Sequence, residues 1–305
     1  NYYAGAGKLE NVVVLPQGGV RRREGLGHVA DVGTPDVRLI PFVFNAAQEY
    51  LFVFTPGTAT IYRNDSVVAT LTTGAVANIT AAMLPALNWV QSNDVLLLVH
   101  PDLAPIEIAR ISDSNWTVNN VALKNIPTFP FGGLTISNPS AACTPDSLSG
   151  SVTLTTNAGV WVSSDEGQFV NINDGRVFIT EVVSDTEAKG TVRIELTSTD
   201  QALSGDWELE TGYEPVISSS RGWPRSITFH QGRLVFGGLK SRPQTLLFSR
   251  VGRFFDFNVG DSRDSDAIDV TIDDDRANII RNIFPGRGLQ IFTTGGEFLA
   301  SGGST

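Results

Sequence analysis

The chain has 305 residues, 41% of them hydrophobic and 18% charged, with 32 acidic against 22 basic side chains and a net charge of −10. That balance excludes a general nucleic-acid binder, which would carry a basic face, and the single cysteine, Cys143, excludes an intrachain disulfide. No apolar run approaches the ~20 residues of a membrane helix, and no signal peptide is visible.

Thirty glycines and 15 prolines supply the turns that an all-β chain needs. Strands are expected over residues 11–15, 38–44, 50–54, 58–63 and 66–72, rich in β-branched and aromatic side chains. Pro56-Gly57 and Asn64-Asp65 separate three of them into a small meander, and Asn and Asp both tolerate the positive φ of a two-residue hairpin turn. The one helix candidate covers residues 79–87, with Ala81, Ala82, Met83 and Leu84, and stops at Pro85; a buried loop competes with it. Strands resume over 89–91, 95–100, 106–111 and 116–119.

A second kind of segment follows. Residues 137–146 read as a linker, and residues 151–156, 160–162, 168–172, 176–182, 191–196 and 207–209 as short strands with one solvated face. Asn173-Asp174-Gly175 marks a tight turn. The meander layout then returns at 229–257: a Gln231-Gly232 turn, the apolar run 234–236, a Gly237-Gly238 break, residues 245–249, a Gly252 turn and the aromatic cluster Phe254, Phe255 and Phe257. Asn93-Asp94 opens the same layout earlier, closed by Trp116, and residues 288–300 carry a weaker copy. Meanders repeating at roughly 40–50 residues point to β-propeller blades. The expected fold is therefore all-β, with propeller-like blades over 1–140 and 217–305 and an inserted small β-barrel or sandwich over 141–216. The opening at Asn1, the single methionine Met83 and the close at Thr305 lead us to expect a fragment or a processed product.

Few residues point to chemistry. Arg21, Arg22 and Arg23 form the sharpest basic cluster, suited to a carboxylate on a partner protein or to a phosphate. Asp264, Asp266 and Asp269 stand in the densest acidic region, with Asp261 and Asp273 to Asp275. Alternate aspartates are hard ligands for Ca²⁺, but the EF-hand glycine and glutamate are missing, and a solvated loop paired with Arg263 and Arg276 is the plainer reading. The run from Ser163 to Gly167 matches a short piece of the sialidase Asp box and reads better as a turn. His28, His100 and His230 are isolated, Asp165 and Glu166 are adjacent and diverge in a strand, and Gly5-Ala6-Gly7 lacks the strand and helix of a phosphate loop. Cys143 reads as a buried apolar residue. No catalytic residue and no cofactor are assigned.

Three blocks carry a family resemblance. They are 11–26 (NVVVLPQGGVRRREGL); 167–172 (GQFVNI) with 175–182 (GRVFITEV) and 207–209 (WEL); and 229–238 (FHQGRLVFGG) with 249–257 (SRVGRFFDF), 264–269 (DSDAID) and 289–298 (LQIFTTGGEF). Together they resemble the tail tubular protein B, or tail nozzle, proteins of short-tailed bacteriophages and prophages. The resemblance implies a propeller with inserted domains and a homo-oligomeric ring of six copies. It also implies contacts with other tail proteins, a place in the virion tail, and DNA passing through the lumen without specific binding. An acidic lumen would keep DNA from sticking. A propeller that binds a glycan or receptor, and a propeller hydrolase acting on a polysaccharide, are the rival readings.

Overall fold

The computed structural model describes residues 7–25, 27–260, 263–273 and 278–301. Strands dominate it, arranged as antiparallel meanders. Val12–Val14 (β1) and Val20–Arg22 (β2) form an N-terminal hairpin. The first blade is Arg38–Asn45 (β3), Gln48–Thr55 (β4), Thr58–Arg63 (β5) and Ser66–Leu71 (β6). The second is Asn88–Ser92 (β7), Val95–His100 (β8), Leu103–Arg110 (β9) and Trp116–Asn120 (β10). An intervening unit contains Thr128–Phe129 (β11), Thr135–Ser137 (β12), Cys143–Pro145 (β13), Ser151–Thr156 (β14), Phe169–Ile172 (β15), Gly175–Ser184 (β16), Glu187–Ile194 (β17), Glu208–Thr211 (β18) and Glu214–Pro215 (β19). The third blade is Pro224–His230 (β20), Arg233–Leu239 (β21), Thr245–Phe248 (β22) and Ile268–Thr271 (β23). The fourth has three strands, Ile280–Phe284 (β24), Leu289–Thr293 (β25) and Glu297–Ala300 (β26). The four sheets are arranged in a ring resembling a four-bladed β-propeller, as the repeated meanders led us to expect.

The turn chemistry explains the hairpins. Asn64 and Asp65 adopt φ of 49° and 59°, and Asn173 and Asp174 adopt 47° and 57°. Two consecutive positive values match the right-handed twist of the flanking strands, and Asn and Asp reach them at low cost.

Alternation along the central strands explains the stacking. Leu96 and Leu98 of β8 join Phe42, Phe52, Phe54 and Ile61 in a core between blades 1 and 2, while Leu97 and Val99 point the other way. Those two meet Leu234 and Phe236 of β21, with Leu247 and Phe257, between blades 2 and 3. Val235, on the opposite face of β21, meets Ile280, Ile283 and Ile291 between blades 3 and 4. Each fully buried Phe, Leu or Ile contributes about 1.5–3 kcal/mol, so these junctions hold the array together. Trp116 centres the first, with its ring 5.1 Å from those of Phe42 and Phe52 in edge-on geometry. Gly238 is required at the last. It has a φ of 68°, and a Cβ there would stand 2.4 Å from the carbonyl oxygen of Ile280.

The intervening unit is a seven-stranded antiparallel sheet in the order β12-β18-β15-β16-β17-β14-β13. Cys143, Val152 and Leu154 from one end share a single core with Val170 and Leu209 from the other. The sheet therefore curls around its own interior as an open barrel.

Four expectations need correction. Residues 79–87 form no α-helix; 3-10 turns occupy Gly74–Asn78 and Ala81–Ala86, because Pro85 cannot donate and the segment is too short to propagate. Residues 137–146 are no linker, since β12 and β13 both use part of them. Residues 160–162 form no strand: the Val160 and Trp161 N–H groups both donate to the Asp185 carbonyl. The Phe254–Phe257 cluster is irregular, and the fourth strand of its blade is β23, beyond the acidic loop.

Candidate functional site

The three arginines sit on the N-terminal hairpin. Val12 pairs with Arg22, Val13 with Arg21 and Val14 with Val20. Arg21, Arg22 and Arg23 are all exposed, and the nearest acid, Glu24, lies 3.9 Å from Arg21 Nη2. Val13, Val14 and Val20 are exposed on the same ribbon. A two-stranded hairpin with both faces in water gains little from its own packing. Its guanidinium groups are placed to meet carboxylates outside the body of the chain.

The acidic region is a hub for arginines rather than a solvated loop. Asp266 is 4% exposed; its carboxylate lies 3.0 Å from Arg250 and accepts from the Arg263 N–H at 3.1 Å. Asp269 Oδ2 accepts from Arg242 Nη1 at 2.7 Å. Arg233, buried at the start of β21, donates to the backbone carbonyls of Ser249, Asp264 and Asp266. Burial lowers the pKa of that guanidinium. Asp264, Asp266 and Asp269 thus serve different partners. Among the described residues no group of three or more His, Cys, Asp or Glu is placed to hold a metal ion. Asp261, Asp274, Asp275 and Arg276 lie outside the described residues, as does most of the Gly5-Ala6-Gly7 run.

The remaining candidates are separate in space. His28 Nε2 lies 3.0 Å from Asp31 on an exposed segment. His100 is buried, accepts from the Asp102 N–H at its Nδ1, and is held below the ordinary imidazole range by burial. His230 ends β20. The Asp-box-like run is a 3-10 turn in which Asp165 accepts from the Val162 N–H at 3.0 Å, and burial pushes the Asp165 carboxyl up. Glu166 turns away to accept from the Val182 N–H. Cys143 is buried, and burial pushes its thiol up to about 12.

Two surfaces escaped sequence reasoning. The first is the outward face of blade 1. Strand β3 buries Ile40 and Phe42 but leaves Leu39 and Val43 53% and 51% exposed, with Leu51 of β4 beside them. Together with Val29 and Val32 they line a groove of about 560 Å³. The available signal was a strand apolar at both alternate sets of positions. The second is a cleft between the inserted sheet and blade 3, lined by Phe169, Phe178, Arg193, Arg242 and Asp269. Its walls come from segments far apart in the chain, so no local motif marks it. No protein-family model matches this chain, and no curated protein matches it.

Proposed function

We propose that the chain is a structural protein of a bacteriophage or prophage tail, a nozzle-like element that packs side by side in a ring through which DNA leaves the capsid. The observation that carries this reading is the apolar outward face of blade 1. Leu39, Val43 and Leu51 lie together in water on a sheet whose other face is fully packed. Contiguous apolar patches on soluble proteins mark interaction sites. The exposed hairpin with Arg21, Arg22 and Arg23 adds a second contact surface, suited to the acidic exterior of a chain with net charge −10. The resemblance of the blocks at 11–26, 167–209 and 229–298 to tail tubular proteins supports the same role. It also supplies the expectations of six copies and of further tail proteins as partners. The acidic balance suits a lumen that DNA crosses without being held.

The test is assembly. The full-length protein is mixed with its neighbouring tail proteins and followed by analytical ultracentrifugation and negative-stain microscopy, beside a Leu39→Glu/Leu51→Glu variant. Rings or tail complexes that form with the wild type and fail with the folded variant support the proposal. A wild type that never associates, and is absent from purified virions, removes it.

A further inference from the structure

The cleft between the inserted sheet and blade 3 has the lining of a ligand site. Strands β15 to β17 turn Val170, Val177, Ile179 and Val192 into the insert's own core. Alternation therefore presents Phe169, Phe178, Thr191 and Arg193 on the opposite face, toward the propeller. The facing wall is built by residues 125–128, residues 257–259 and the Arg242–Asp269 pair. The space between measures about 380 Å³. Thr191, Arg193 and Asn258 also border a second, more polar space of about 590 Å³, which Arg250 and Arg263 line. Small-molecule sites have such dimensions and favour junctions between structural units.

The chemistry of the lining narrows the ligand. Asp269 Oδ2 is held by Arg242, whereas Oδ1 is buried and has no hydrogen-bond partner. A buried carboxylate oxygen calls for a donor. A purely apolar ligand would leave it unpaired. A simple anion would meet the Asp269 carboxylate. A cation would meet the guanidinium groups of Arg193 and Arg242. Beside Asp269 stand the rings of Phe169 and Phe178, with centroids 5.2 Å apart, which offer an apolar wall. Asn125, Asn258 and Thr191 add amide and hydroxyl groups at the margins. An apolar wall, a hydroxyl-seeking oxygen and flanking amides match one class of molecule: a ring that carries C–H patches and hydroxyl donors together.

We propose that this cleft binds a saccharide, with one ring seated between Phe178 and Asp269 and a ring hydroxyl donating to Asp269 Oδ1. The proposal does not rest on the assembly role and stands or falls separately from it.

The experiment is saturation-transfer NMR on the full chain with glucose, galactose, N-acetylglucosamine, rhamnose and glucuronate, followed by titration of any sugar that responds. Two variants accompany the wild type. Thr180→Trp projects a large ring into the cleft from an exposed position on β16, away from Asp269. Asp269→Asn keeps the shape and removes the charge. Each is checked for a native circular-dichroism spectrum and melting curve. The expected result is binding of at least one sugar, abolished by Thr180→Trp and weakened about tenfold by Asp269→Asn, the loss of one hydrogen bond to a charged group. Absence of binding by every sugar overturns the proposal, as does binding undiminished by Thr180→Trp. Loss in Thr180→Trp with no change in Asp269→Asn overturns the hydroxyl contact.

Discussion

Asn88 Nδ2 on β7 of blade 2 donates to Asn282 Oδ1 on β24 of blade 4 at 3.0 Å, across 194 residues of sequence. Both residues lie on the first strand of their blade, and β20 of blade 3 packs against both strands. The bond therefore ties two non-consecutive blades through their innermost strands. Asn282 Oδ1 also accepts from the Ile283 N–H at 3.0 Å, so one alanine removes two interactions. Asn282→Ala is expected to cost about 0.5–1.5 kcal/mol for each bond lost. A double-mutant cycle with Asn88→Ala, read by urea denaturation, isolates the cross-blade share. A coupling energy of zero would show that the amides do not meet in solution.

Trp207 is expected to govern the inserted sheet alone. Its ring is fully buried 5.5 Å from that of Trp161, and its Nε1 donates to the Ala141 carbonyl at 2.8 Å. Every buried partner in that core belongs to the insert. Trp207→Ala should cost about 3–5 kcal/mol, through the cavity and the lost bond. Because the blades bury separate cores, calorimetry should show an early transition for the insert and an unchanged later one for the blades. A single cooperative transition that shifts as a whole would contradict this separation.

Cys143 supplies a probe of the same unit. Burial pushes its thiol up to about 12, and only the thiolate is nucleophilic. A thiol reagent at pH 8 should leave the native chain unlabelled over hours and modify one equivalent in denaturant. Rapid native labelling would mean that β13 opens readily, since its N–H and carbonyl are tied to Ala202 at 2.9 Å.

Much of the architecture was legible because turns act locally. Asn64-Asp65 and Asn173-Asp174 announced their positive φ by residue type. Alternating apolar residues announced β8 and β21, although both turned out to be packed on two faces. The fourth strand of blade 3 was hidden because burial and pairing are different things. Phe257 is fully buried, stacked 5.3 Å from Phe236, yet belongs to no strand. Ile268–Thr271, with two exposed apolar residues, supplies the pairing instead. The cleft was not legible at all, since Phe178 and Asp269 meet only after the insert folds back on blade 3. Arg250 and Asp266 likewise become partners only across a loop.

Acid should weaken the junction of blades 1 and 2 through Asp113. The Tyr50 hydroxyl donates to Asp113 Oδ1 at 2.5 Å, Arg110 Nη2 donates to the same oxygen at 2.7 Å, and Arg63 pairs with Oδ2. Those bonds, Tyr50 foremost, hold the carboxyl below its ordinary range. A depressed folded value means that the stabilisation is present above the unfolded pKa of about 4 and is lost as pH falls through the folded one. Asp113→Asn should therefore be less stable than the wild type at pH 7, with the difference closing below about pH 4. The group is solvent-exposed, so the gap should also narrow in high salt. Urea midpoints at pH 7 and pH 3 test this. A gap of equal size at both would show that the aspartate acts through shape rather than charge.

Arg233 is the point where one planar group replaces many contacts. It is 7% exposed and donates Nη1 to the Ser249 and Asp266 carbonyls and Nη2 to the Asp264 carbonyl, closing the loop between β22 and β23. The Asp266 carboxylate then turns to Arg250 rather than to Arg233. Lysine keeps the charge but presents a compact ammonium instead of a rigid fork, and it cannot span three carbonyls in one plane. Arg233→Lys should leave at least one buried carbonyl unpaired, at about 1–3 kcal/mol. The damage should concentrate in the 250–267 loop, because β20 to β22 keep their own ladder. Limited proteolysis should cut the variant there before any other described segment, while hydrogen exchange in β21 stays slow. Uniform protection of the loop in the variant would show that the Asp266–Arg250 pair alone suffices to hold it.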